Sequence, residues 1–219
     1  MGYVPGIIVL CYVLAAFFRY FEKIFDKPMA WHGGVPLITG LGFHAAGFYR
    51  AFLESHAAGT FQLAMTTFAA GGILAGACLF LEWKTRDTFF SLFLLPLAIP
   101  LVVASGLWQS FLQGPIYQGA WFLLHVLCSV SGECFFFLAG LSGFIYLFAV
   151  RRLKKKNQLR AVRFFPPLTR LDSMIVWFAL AGFVLFTIGL VSGAVWSYLS
   201  FDSLRLLETK RILSFVVWL

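Results

Sequence analysis

Charge is scarce in this sequence. Only 12% of its 219 residues are Asp, Glu, Lys or Arg, against 61% hydrophobic, and a soluble domain carries about twice that charged fraction. The apolar excess is gathered into long blocks, which makes this a multi-pass membrane protein. Cysteine is also sparse. Cys11, Cys78, Cys128 and Cys134 all fall in apolar runs with no CxxC, CxxCH or zinc spacing. That excludes a disulfide scaffold, covalent haem attachment and structural zinc, and leaves cysteine as a small hydrophobe. Paired carboxylates, a nucleophile elbow and a phosphate-cradling glycine loop are missing too. Hydrolysis and phosphoryl transfer therefore have no support, and the chain reads as a non-enzyme. No positive region precedes the first apolar run, so Val4 to Phe21 is expected to be an uncleaved first span.

What is present is a series of spans. A segment of about 20 apolar residues crosses the bilayer core. That rule predicts spans near 4–21, 36–53, 61–82, 89–108, 120–149 and 173–199, and the start of another from about 211. The expected fold is all-α: one integral membrane domain over 1–219, a helical bundle of six complete spans plus the start of a seventh. The fifth span is longer than needed and is expected to tilt or to project beyond the membrane. Gly72 with Gly76, and Gly189 with Gly193, have the spacing that lets helix backbones approach.

The net charge of +8 does not imply nucleic acid, because it sits in loops between spans. Arg151, Arg152, Lys154, Lys155, Lys156, Arg160, Arg163 and Arg170 put the 151–172 loop in the cytoplasm. Alternation then places Arg19, Lys23, Lys27, Lys84 and Arg86 on the same side and the N-terminus outside. Trp31, Trp83 and Trp177 fall near the inner boundaries, and Trp108, Trp121 and Trp196 near the outer ones, as an interfacial belt requires.

Ionisable groups within spans are costly and point to chemistry. They are His44, His125 and Glu133, with Arg50 near a span end. His125, in Leu124-His125-Val126, lies toward the outer end of the fifth span. Neutral imidazole on an apolar helix suits haem iron, and it equally suits a hydrogen bond to a neighbouring helix. His44 lies between Gly40 and Gly47, a gap that admits a flat macrocycle or a neighbouring helix. Glu133 is about 80° around and about 12 Å along a helix from His125, badly placed to share a metal with it. Three readings of Glu133 stay open: protonated, paired with a partner helix, or lining a wet cavity. His32 and His56 fall in loops and read as solvated.

Taken together, Leu124-His125-Val126, the basic loop, Pro166-Pro167-Leu168 with Leu171-Asp172, and Gly182-Phe183 through Gly193 resemble the cytochrome c assembly family, in its HemX/CcsA-type multi-pass form. Gly42-Phe43-His44 fits the same pattern. So does Glu208-Thr209-Lys210-Arg211 through Ser214, Trp218 and Leu219. The layout matches along the whole chain, with motif-grade agreement from about Gly119 onward. The resemblance implies a haem-handling membrane protein of cytochrome c biogenesis in the bacterial inner membrane. It implies a non-covalent b-type haem, axial ligation by His125 and His44, and Trp196 and Lys210 near the outer rim. Expected partners are membrane lipid and other cytochrome c assembly proteins or a haem-biosynthesis enzyme. Between Trp196 and Glu208 the strip carries no tryptophan, unlike haem-presenting members, and this favours the HemX-like branch. Two rival readings stay open: a regulator of haem biosynthesis, and, through Glu133, part of a transporter or proton pathway. A stop at Leu219, inside a predicted span, leads us to expect an incomplete chain.

Overall fold

A computed structural model describes residues 4–25, 30–58, 63–111, 120–154, 165–201, 216 and 218. Six helices account for nearly all of these: α1 (Val4–Phe25), α2 (Ala30–Ala58), α3 (Leu63–Thr85), α4 (Ser91–Phe111), α5 (Ala120–Lys154) and α6 (Leu168–Phe201). Each coincides with one of the six expected spans to within two residues at its start or contains it whole, so the all-helical reading holds.

Four helices are long and apolar enough to cross a membrane: Val4–Phe25, Ala64–Thr85, Ala120–Lys154 and Leu168–Leu199. The expected count of six complete spans plus a seventh is therefore not supported. The apolar part of α4 is the shorter Ser91–Leu107. In α2, glycines, His32, His44 and Arg50 dilute the apolar character. The start of the seventh lies outside the described residues apart from Val216 and Trp218.

The chain divides into two compact units, Met1–Ile116 with Arg152–Pro166, and Tyr117–Arg151 with Pro167–Leu219. In the first, α1 packs on α2 and α4, and α3 packs on the same two. The four helices thus close into a ring around Tyr12, Leu37, Cys78, Leu94 and Val102, all fully buried. The α3–α4 turn is fixed locally. Arg86 adopts a left-handed φ of 55° and its N–H donates to the Glu82 carbonyl at 2.9 Å. The Asp87 carboxylate accepts the Phe89 N–H at 3.0 Å, an Asx turn that satisfies a donor ahead of α4.

In the second unit, α6 starts at the proline pair. Pro167 offers its carbonyl to the N–H groups of Arg170 and Leu171 at 3.0 and 3.1 Å, and a fixed proline φ suits a helix start. Trp218 lies against α6, its ring 5.7 Å from that of Phe183 and its Nε1–H donating to Thr187 Oγ1 at 2.9 Å.

Candidate functional site

Helices α5 and α6 run antiparallel and meet along a seam where both step by three or four residues, so the same faces stay in contact. A Cβ on Gly182 would meet the Phe136 ring at 3.0 Å and the Gly132 carbonyl at 3.1 Å, and one on Gly132 would meet the Phe186 backbone nitrogen at 2.8 Å. A Cβ on Gly189 would collide with Ser129, whose backbone nitrogen lies 2.9 Å from that position. The next contact outward is Gly193 against the His125 ring, and beyond it Phe122 and Trp196 pair with centroids 4.9 Å apart. Backbone approach of this kind needs small residues on the facing helix.

His125, half-buried, is held by this seam. Its Nδ1 lies 2.7 Å from the Gly189 carbonyl oxygen. Because a carbonyl only accepts, Nδ1 carries the proton and Nε2 keeps its lone pair. Among the described residues no hydrogen bond reaches Nε2. Ser129 Oγ sits 3.3 Å from Nδ1, one helical turn along α5.

His44 is arranged the opposite way. It is buried in the first unit, and its Nε2–H donates to the Phe68 carbonyl at 2.7 Å. Its Nδ1 accepts from the Tyr12 hydroxyl at 3.0 Å, so both ring nitrogens are engaged. Phe68 stacks on the ring at 4.0 Å, and Gly72 lies beneath it, where a Cβ would be 2.8 Å from Nε2. The gap at Gly40 is filled by the Tyr12 ring, and that at Gly47 by Val4 and Phe68. Side chains of α1 and α3 therefore occupy the space that a macrocycle would need. Of the Gly72–Gly76 pair only Gly72 is close-packed; Gly76 has nothing within 4 Å.

Trp83 and Trp177 are well exposed, and Glu133 is exposed on α5. His32 is exposed too, near the Phe18 ring. Lys210 and the side chain of His56 lie outside the described residues. Among the described residues no three His, Cys, Asp or Glu side chains gather as a metal-ligand cluster.

Sequence reasoning did not anticipate a buried ionic network in the first unit. Arg19 on α1 is 4% exposed and pairs with Glu22 at 3.0 Å and with Glu82 on α3 at 2.5 Å. The other Glu82 oxygen accepts from Ser91 Oγ on α4 at 2.5 Å. Gly33 of α2 backs the guanidinium, where a Cβ would be 2.9 Å from Nε. All four helices of the unit therefore converge on Arg19. Lys23 reinforces it, pairing with Asp87 at 3.0 Å.

A family model described as "Cytochrome C assembly protein" matches residues 40–219. This chain belongs to the cytochrome c assembly protein family. The match takes in His44, all of α5 and α6, and every glycine of the His125 seam, whereas α1 precedes it. Among curated proteins, the chain is 24% identical over 173 residues to "Cytochrome c biogenesis protein CcsA" of Guillardia theta. That match covers 69% of this chain and 57% of the relative, so the chain spans little more than half the length of that protein. No solved structure matches.

Proposed function

We propose that this cytochrome c assembly family member is a haem-handling membrane protein of cytochrome c biogenesis, with His125 as an axial ligand to a non-covalent b-type haem. The observation that carries this reading is the His125 tautomer. A ligating histidine characteristically donates its other ring N–H to a carbonyl or carboxylate, which orients the ring and raises the basicity of the ligating nitrogen. His125 has that arrangement, and Gly193 leaves room for it that a Cβ would fill. The bound haem would supply its redox-active iron. The chain's contribution is to orient the imidazole and surround it with apolar and aromatic side chains, Trp196 and Phe122 among them. His44, in the other unit, would offer a lone pair to a haem iron only on release of its Nδ1 from Tyr12. Lys210 is assigned to a propionate at the outer rim, where an ammonium suits a carboxylate.

In this reading the helices lie in the bacterial inner membrane, with the N-terminus outside and the 151–172 loop inside. Partners are lipid and other cytochrome c assembly proteins or a haem-biosynthesis enzyme, and haem is bound or passed on rather than chemically converted. The test is purification of the full-length protein with haem supplied. A Soret band is expected, and it weakens sharply in His125→Ala. A wild-type protein that cannot be reconstituted, or a band unchanged in His125→Ala, overturns the reading.

A further inference from the structure

The carbonyl that fixes His125 is shared. Ser192, 2% exposed, directs its hydroxyl at the Ile188 carbonyl at 2.7 Å and at the Gly189 carbonyl at 3.1 Å. The Gly189 oxygen, which accepts from His125, is thus also the second and longer acceptor within reach of the single Ser192 hydroxyl proton. On the other side of the ring a Cβ at Gly193 would lie 2.5 Å from Nδ1 and 2.8 Å from Cε1. That contact falls on a movable side chain rather than on backbone, so turning the ring relieves it at less cost than parting the helices. The Gly189–Ser129, Gly132–Phe186 and Gly182–Phe136 contacts hold the same two helices at backbone distance. The imidazole itself would have to turn away from the Gly189 carbonyl.

We propose that Gly193 and Ser192 are positioning residues for His125: Gly193 by leaving the space in which the ring can reach the Gly189 carbonyl, and Ser192 by competing for that carbonyl. Gly193 sets which ring nitrogen is presented. Ser192 sets how strongly that nitrogen donates, because a carbonyl already accepting one hydrogen bond is a weaker acceptor for the second. The consequence for a bound metal rests on the reading of His125 as an axial ligand, while the tautomer can be tested without haem.

The experiment is nitrogen NMR on haem-free, histidine-labelled full-length protein in lipid nanodiscs, followed by haem titration. Wild type is expected to show His125 protonated at Nδ1 and His44 protonated at Nε2. In Gly193→Ala the His125 signals move to mixed or reversed tautomers, and haem affinity falls about 10- to 100-fold, the usual cost of disturbing an outer partner of a ligand. Gly182→Ala disturbs the same seam without touching His125, and there the His125 signals stay as in wild type. In Ser192→Ala the Nδ1–H resonance moves downfield as its hydrogen bond shortens, and the midpoint potential of bound haem moves negative. Identical His125 signals in wild type and Gly193→Ala, or equal changes in Gly193→Ala and Gly182→Ala, overturn the role of Gly193. An unmoved Nδ1–H resonance in Ser192→Ala overturns that of Ser192. A wild type with the expected tautomers that takes up no haem supports the positioning and overturns the haem reading alone.

Discussion

Removing Arg19 should destabilise the first unit as strongly as truncating a large buried apolar side chain. The guanidinium is 4% exposed, and Glu82 only 10%, so water screens little of their interaction. Breaking a buried pair by deleting one partner costs about 3–5 kcal/mol, mostly because the surviving charge is stranded. Arg19→Met should approach that range, because Glu82 would keep only the Ser91 hydroxyl as a partner. Adding Glu82→Gln removes the stranded charge and leaves the side chain able to bond Ser91. The double variant should then be less destabilised than the two single effects combined, by about 1–3 kcal/mol, as expected for residues in one network. Reversible unfolding in mixed bicelles, run as a double-mutant cycle, measures this directly. Additivity to within about 0.5 kcal/mol would refute the claim that Arg19 and Glu82 are energetically one unit. It would reduce the network to incidental proximity.

Tyr12→Phe leaves His44 Nδ1 without its donor and should cost about 1–3 kcal/mol by thermal unfolding. Gly72→Ala presses a methyl against the His44 ring and should cost about 1–3 kcal/mol, read as a lower melting temperature in detergent. Gly132→Ala meets backbone rather than a movable side chain at Phe186. It should separate α5 from α6, detectable as weaker spin-label coupling between positions 130 and 188. Trp218→Phe keeps the ring contact with Phe183 but loses the hydrogen bond to Thr187, at about 1 kcal/mol.

The helices were readable because apolar runs of membrane-crossing length have few alternatives to helix. The histidines and the Gly189–Gly193 spacing could also be found by inspection. Their meeting could not, because a pattern along one helix does not specify its register against another. Ser129 and Gly132 on α5, and Gly182 on α6, became informative only once the seam was assembled. Arg19 illustrates the same limit from the other side. As a basic residue near a span end it served as a marker of orientation, and nothing along α1 shows that Glu82 is its partner. The available signal was weak: Glu22 follows Arg19 by three residues, and Glu82 interrupts an otherwise apolar stretch. The span count went too far for a different reason. Hydrophobic blocks separated by turns were counted alike, although α2 carries polar and glycine positions that serve packing against Tyr12 and Arg19.

In sequence His44 and His125 are both lone imidazoles on apolar helices, His44 mid-span between Gly40 and Gly47 and His125 toward the outer end of its span. Hydrogen bonding separates them. His44 spends its donor on Phe68 and its acceptor on Tyr12, so the ring is complete as a packing element and ligation would have to break a buried bond. His125 spends only its donor. Among the described residues Nε2 of His125 is left open to a further partner, unlike either ring nitrogen at position 44. The contrast within one chain makes His125 the stronger candidate for chemistry. It also predicts unequal outcomes for a matched pair of variants. His44→Gln should alter stability and spare haem uptake, whereas His125→Gln should spare stability and abolish uptake. Equal losses of haem in both variants would show that the tautomer difference does not distinguish ligand from packing residue.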